Sequence, residues 1–457
     1  MSVNANSIKA CGFTDSQILN AAVNAACREG SRTLTVSAFN ESRGEYIWIL
    51  DEPILLPDDF TLILDNCRLR LDDDAFCNII CNENCHTVLH NNANRQRNIH
   101  IRGIGHPVLD GGNYNNYSEH SKDLPKSILN NCSVFLCNVE DFSIEGLYII
   151  NHRYWGMCFI HCGNGAVKNI DFKADISCRL DNGGHTTEYL PKDYEHVYLQ
   201  NSDGIDLRIG CHNILIENIS GFTVDDTVAM TALCHKNDVQ YKNVDETDDI
   251  HDIIVRNIYS YTFCWTGQVR VLAKDGCKVY GISIDNVVNT IDERLPYRGG
   301  CSVMIGDDGY VHTCDVKLGD IFNINVSNVH SKAIRAIRLT GPMSFISIQN
   351  IFVYNGAETV INADSNTELS NVQIEKIFCG EDSDLDSVIN FSGNVSGKVR
   401  ISDVYCDKTD YLIRNRGTAE TIFVNAENVK CRISEKTDET KHYKFWWADK
   451  VRNPEMY

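Results

Sequence analysis

A chain of 457 residues with 43% hydrophobic and 9% aromatic residues has material for a large core, built as one repetitive unit or as two or three ordinary domains. A formal charge of −20 excludes nucleic acid and anionic membrane surfaces as natural partners, and it disfavours a long polyanionic substrate unless the site carries its own cations. No run approaches the roughly 18 apolar residues of a membrane-spanning helix.

The 20 cysteines include no CxxC pair and no paired metal-ligand spacing. Irregularly placed thiols in a chain of this size read as small apolar core residues in a reducing compartment. The first residues, Met1 to Ser7, carry neither a basic segment nor an apolar one. The expectation is a cytoplasmic protein.

In chain order, residues 15–29 have helical apolar spacing, with Asp15 or Ser16 as N-cap and Gly30 as the C-terminal stop. Strands are predicted at 33–38, 46–50 and 60–71, the last alternating in the β manner. One amphipathic helix ahead of a strand run is a cap that shields the first strand edge from aggregation.

A short pattern then recurs: apolar, any, apolar, polar, Asn or Gly, apolar. It runs through Ile99–Ile104, Phe142–Leu147, Ile214–Ile219, Ile253–Ile258, Ile282–Val287, Ile324–Val329 and Ile346–Ile351, with weaker copies at 165–170, 372–377, 399–404 and 424–429. The fifth positions are Gly103, Gly146, Asn169, Asn218, Asn257, Asn286, Asn328, Asn350, Lys376, Asp403 and Asn428. They lie 43, 23, 49, 39, 29, 42, 22, 26, 27 and 25 residues apart, mostly one or two times a unit of about 22–27. Alternation supplies strands, and Asn at the corner tolerates left-handed backbone and can ladder with the Asn of the next coil. The pattern predicts an all-β, single-stranded, right-handed parallel β-helix with an N-terminal capping helix. It forms one domain over 1–457, in which 1–75 are cap and first coils and 430–457 a C-terminal cap.

Polar stretches at 110–126 and 179–200 interrupt the repeat and are expected to form loops on one face. In the second, His185 and His196 read as solvated loop residues. The aromatic run Tyr443 to Trp447 is expected to close the last coil.

Two acidic points stand in adjacent repeats, Asp203 and the pair Asp225–Asp226, offset by 22 and 23 residues. On neighbouring coils of one face their strands would be roughly 4.7–4.9 Å apart. Crowded carboxyls shift one another toward one protonated and one ionised group.

Three segments carry a resemblance. Asn201-Ser-Asp-Gly-Ile-Asp206 is similar to the NTDGID motif of the polygalacturonase family of β-helical glycosidases, glycoside hydrolase family 28. Val224-Asp-Asp-Thr-Val-Ala-Met230 resembles its GDDCIAI motif, and Trp155 to Cys162 its tryptophan-led coil. The likeness covers residues 10–290. The resemblance implies inverting hydrolysis of α-glycosidic bonds, without metal or cofactor; a cytoplasmic location favours short, pectin-derived oligosaccharides, and long insertions that close one end of a groove favour exo action. It makes Asp225 the general acid and gives Asp203 and Asp226 the attacking water.

The family's Gly-His-Gly and Arg-x-Lys motifs are missing: the corresponding stretches read Phe263 to Leu272 and Gly299 to Gly306. Arg270 faces outward by alternation, and with Lys274 it is the substitute for the missing cations. Asn201, Trp265 and Gln268 are further candidates for contacting sugar. Without the cationic pair, a neutral, galacto-configured sugar competes with galacturonate. A uronate lyase or epimerase and a non-catalytic carbohydrate-binding solenoid are the alternative functions. Asp307 and Asp308 form a turn that is a second acidic candidate, and homo-oligomerisation is left open.

Overall fold

A computed structural model of the chain describes residues 2–9, 11–113, 115, 117, 121–174, 203–233, 238–262, 267–292, 299–306, 316–354, 356–364, 366–380, 383 and 385–416. Side chains of 407 and 408 are excepted, and the strands Cys178–Leu180, His185–Thr186, Val197–Tyr198 and Thr421–Ile433 are described as backbone only. Two compact units are present: Met1–Val224 with His235–Thr247 and Pro454–Tyr457, and Asp225–Cys234 with Asp248–Asn453. The expected aromatic cap at 443–447 and the acidic turn at 307–310 lie outside the described residues.

The helix Asp15–Arg28 opens the first unit and stops, as expected, ahead of Gly30, whose φ of 72° is the left-handed value that glycine accepts freely. Its N-cap is Thr14 rather than Asp15 or Ser16. The Thr14 hydroxyl accepts from Gln17 N, and Gln17 Oε1 accepts from Thr14 N, closing a capping box. The two residues expected as caps tie the helix to the first coil instead. Asp15 accepts from Ile49 N at 2.7 Å, and Ser16 Oγ accepts from Asp51 N and Glu52 N, each at 3.0 Å. The apolar face, with Ile18, Leu19, Ala22 and Val23 buried, packs on the strands Thr33–Ser37, Trp48–Leu50 and Ile54–Leu56. The predicted run 60–71 is two strands, Phe60–Asp65 and Arg68–Leu71, parted by Asn66 at φ 49°.

Both units are parallel ladders wound coil on coil, so the fold is a parallel β-helix. In the first, Thr33–Ser37, Phe60–Asp65, Gln96–Ile104, Val139–Ile150, Gly163–Lys173 and His212–Thr223 pair successively in parallel. A second ladder runs through Ile54–Leu56, Ile80–Asn82, Val134–Cys137, Met157–Ile160 and Ile205–Leu207. In the second unit one ladder begins at Ile250–Thr262 and the other at Val228–Ala232. Register puts like on like: Val255, Ile284, Val326, Ile348, Ile374 and Ile401 form one buried row. Each such side chain contributes about 1.5–3 kcal/mol by leaving water. The 179–200 insertion, expected as a loop, carries a small antiparallel sheet in which Cys178–Leu180 pairs with His185–Thr186 and Val197–Tyr198.

The recurrent fifth position is a left-handed corner. Gly146, Asn169, Asn218, Asn257, Asn286, Asn328, Asn350, Lys376 and Asp403 all have φ between 56° and 73°. The expected asparagine ladder is present within each unit: Asn218 Nδ2 donates to Asn169 Oδ1 at 3.0 Å, Asn286 to Asn257 at 2.7 Å and Asn350 to Asn328 at 3.1 Å. Gly103 keeps strand backbone, and its reason is close approach, since a Cβ there would stand 1.9 Å from the Gly146 carbonyl oxygen. A second left-handed column lies five residues earlier, at Asn164, Asn213, Asp252, Gly281, Asn323, Phe345 and Asn371. Phe345 is the misfit, a bulky residue at φ 54° that is 63% exposed. Left-handed backbone costs such a residue roughly 1–2 kcal/mol that Asn largely avoids. Phe345→Asn is therefore expected to raise stability by about 1 kcal/mol in chemical denaturation.

At the turn after the strand Met157–Ile160, a charged network fastens residues 238–247 and 91–95 to the first unit. Arg208 grips Asp238 bidentately (3.2 and 2.7 Å), and Asn243 Nδ2 donates to Asn138 Oδ1 at 2.8 Å. Arg95, its side chain 6% exposed, bridges Glu140 at 3.0 Å and Glu246. The ion pair with Glu140, 3.6 Å away, holds His212 above the usual imidazole range. Burial by itself raises the Glu246 carboxyl, but His161 at 3.8 Å and Arg95 outweigh it and bring it down to about 2. A carboxyl lowered on folding adds stability that is complete above its unfolded value and lost as pH falls through the folded one. The Tm gap between wild type and Glu246→Gln, open near neutral pH, should thus close between about pH 4.5 and 2.

Candidate active site

In the first unit the motif around Asp203 is set by the coil backbone. Ile205–Leu207 pairs in parallel with Met157–Ile160, Gly156 N donates to Asp203 O and Met157 N donates to Gly204 O, each at 2.8 Å. Asp203 is only 6% exposed and Asp206 is buried. Register aligns Asp206 with Cys158, Phe135 and Cys81 of preceding coils. Tyr154 and Trp155 are buried wall residues, stacked at 4.4 Å, and the Arg208 guanidinium sits 5.1 Å from the centre of the Trp155 ring. Asn201 lies outside the described residues.

In the second unit Asp225 and Asp226 stand at a bend ahead of the strand Val228–Ala232, and the two neighbours have different surroundings. Asp225 is partly exposed. Asp226 is fully buried. Its Oδ1 accepts from Gly267 N at 3.0 Å and its Oδ2 from Arg270 Nη1 at 3.4 Å. An amide and a guanidinium aimed at one carboxylate stabilise its ionised form. The pair thus has one carboxyl within reach of solvent and one fixed between an amide and a guanidinium.

Arg270 is buried, 7% exposed, and belongs to a row made by register: Ala229, Arg270, Met304, Arg338, Asn362, Asn390 and Arg414. Sequence reasoning found Arg270 but missed Arg338. The coil at Cys301–Ile305 has no cation, and Arg338 supplies one on the coil after it, paired with Met304 in register and gripping Asp364 through Nε (2.8 Å) and Nη2 (3.2 Å). The signal was available as Arg335-Ala-Ile-Arg338, two arginines in a short strand whose other residues are Ala336, Ile337, Leu339 and Thr340. Burial, then Arg338 itself, pushes the Arg335 guanidinium down from its ordinary range.

The other expected contacts separate. Gln268 is fully buried and its amide donates to Ser260 O at 2.9 Å and Val288 O at 3.1 Å, so it fastens one strand to the next. Lys274 follows the end of the strand Gly267–Ala273, four residues beyond Arg270, about 13 Å along an extended chain. Trp265 lies outside the described residues.

No protein-family model and no curated protein matches this chain. Among solved structures it is similar to the Agl-KA catalytic domain, at 12% identity and a TM-score of 0.51, over 94% of this chain and 68% of that one. It is also similar to a mutant tailspike of E. coli bacteriophage HK620 in complex with a pentasaccharide, at 13% identity and a TM-score of 0.50, over 93% and 80%. A hyperthermoactive exopolygalacturonase from Thermotoga maritima aligns at 16% identity and a TM-score of 0.47, over 94% and 91%. The likenesses to the Agl-KA catalytic domain and the tailspike speak for the parallel β-helix fold.

Breaking the Asp226–Arg270 pair should be costly, because it leaves a carboxylate buried without its cation. Arg270→Met is expected to lower stability by roughly 3–5 kcal/mol, read as a fall in the denaturation midpoint, with Arg270→Lys losing clearly less.

Proposed function

We propose that the chain is an inverting glycoside hydrolase that cleaves α-glycosidic bonds in short oligosaccharides from the chain end, inside the cell. The observation that carries this reading is the unlike surroundings of two adjacent carboxyls: Asp225 partly exposed, Asp226 buried against Arg270 and the Gly267 amide. One carboxyl to give a proton and one held ionised to take one is what single displacement needs. Similarity to the polygalacturonase motifs supports the same division of labour.

In the proposed step Asp225 transfers its proton to the glycosidic oxygen as the bond from the anomeric carbon breaks. Water attacks that carbon from the opposite face and loses a proton to Asp226. The products are a free sugar of inverted anomeric configuration and the shortened oligosaccharide, and proton exchange with solvent resets both carboxyls. No metal enters this scheme. The free thiols of the described cysteines, thirteen of them buried, support a reducing compartment.

Arg270 and Arg338 both have carboxylate partners, Asp226 and Asp364. That favours a neutral, galacto-configured sugar over galacturonate at the site of cleavage. A panel of α-linked galactosides and galacturonides, followed by NMR of the fresh anomer, decides the matter. Hydrolysis should give the inverted anomer, and Asp225→Asn should reduce kcat on the order of 10²–10⁴-fold with folding intact. An unsaturated, ultraviolet-absorbing product would mean a lyase, and retained activity in Asp225→Asn would overturn the assignment of the acid.

A further inference from the structure

We propose a metal site in the first unit, formed by Cys81, Cys85 and His86 and suited to zinc. One ligand atom from each of these residues lies within 4.8 Å of the other two. Tetrahedral zinc, with bonds of about 2.3 Å to sulfur and 2.0–2.1 Å to nitrogen, sets its ligand atoms roughly 3.4–3.8 Å apart. The three side chains therefore reach that geometry by small rotations. Among the described residues this is the one group of three His, Cys, Asp or Glu side chains so closely gathered. Two sulfurs and an imidazole select a soft or borderline cation and discriminate against calcium and magnesium, which require oxygen.

The backbone that carries the ligands is fastened in advance. Cys81 lies in the strand Ile80–Asn82, and the turn that follows returns Cys85 and His86 beside it. Cys85 N donates to Asn82 O at 3.1 Å, and Thr87 N donates to Asn84 O at 3.0 Å. Gln96 Oε1 accepts from Asn84 N (2.7 Å) and from Asn82 Nδ2 (2.8 Å), while Asn82 Oδ1 accepts from Cys137 N (2.8 Å). A turn held at this many points confines its side chains near one geometry, as a binding site requires. Both thiols are fully buried and His86 is exposed, so two ligands are dry and the third stands at the entrance.

Cys81 shares a register row with Phe135, Cys158 and Asp206. Three strand spacings put it about 14 Å from Asp206, and none of the three ligands belongs to the carboxyl pair proposed for hydrolysis. The metal is thus assigned to holding the turn in place, and its test does not depend on the hydrolase reading.

Cobalt(II) added to the reduced full-length protein is the probe, since thiolate-bound tetrahedral cobalt absorbs strongly in the near ultraviolet and visible. One equivalent should bind, zinc should displace it, and Tm should rise with either metal. Cys81→Ser with Cys85→Ser should abolish the absorption. His86→Gln, at an exposed position, should weaken binding on the order of tenfold or more with the fold intact. Cys379→Ser, a buried thiol in the other unit, should change nothing. The proposal fails if folded wild type gives no cobalt–thiolate absorption or if His86→Gln binds as wild type does. It fails equally if native protein carries a Cys81–Cys85 disulfide.

Discussion

A stacked coil exists only if the chain leaves each strand by the same bend. Otherwise the next strand misses its partner, and both the backbone ladder and the apolar rows are lost together. That bend is a residue in the left-handed region, at Asn169 and Asn218 in the first unit and at Asn257, Asn286, Asn328 and Asn350 in the second. Asparagine meets two demands at once. Its short polar side chain lowers the cost of positive φ, and at Asn218, Asn286 and Asn350 its amide donates to the asparagine one coil back. The ladder hydrogen bonds are modest individually, about 1 kcal/mol each, but they fix register, and register decides which side chains share a row.

Most of this architecture was legible in the sequence, because the constraint recurs in identical residues. The pattern Ile-x-Ile-polar-Asn announces both the strand and its bend. Where residue type varies while geometry stays constant, the signal disappears. The second left-handed column is filled by Asn, Asp, Gly and Phe, so no single letter marks it. The helix cap was misplaced for a related reason. Asp15 and Ser16 are good capping residues, but the first coil engages both of them, and Thr14 is left to close the box with Gln17.

The candidate site divides along the same line. Asp225 and Asp226 stand out by motif, and Arg270 by its charge in a β run. That Arg270 meets Asp226 could not be read, because Ala229 and Arg270 are register partners 41 residues apart with a non-repeating segment between them. Arg338 was hidden because the missing cation was sought on the coil at Cys301–Ile305, and it stands one coil later. Cys81, Cys85 and His86 escape notice in another way. Cys81-x3-Cys85 is a spacing that zinc accepts, but Cys77–Cys81 and Cys158–Cys162 share it, and it is the turn pinned to Gln96 and Cys137 that sets an imidazole beside two thiols.

The Asp226–Arg270 pair also bears on what a sugar would encounter in the proposed hydrolase. A guanidinium free of partners would offer a uronate a full positive charge and a bidentate match. One already satisfied by a buried carboxylate offers little net field, in a chain whose formal charge is −20. Drawing it toward a substrate carboxylate would weaken its hold on Asp226, the group that must remain ionised to take a proton from water. Binding and proton transfer would then compete for the same cation. A neutral sugar avoids that competition: it can be held by hydrogen bonds to its hydroxyls while Arg270 stays on Asp226. On that reading the absence of an Arg-x-Lys pair at Gly299–Gly306 and the capture of Arg270 by a carboxylate both favour a neutral sugar.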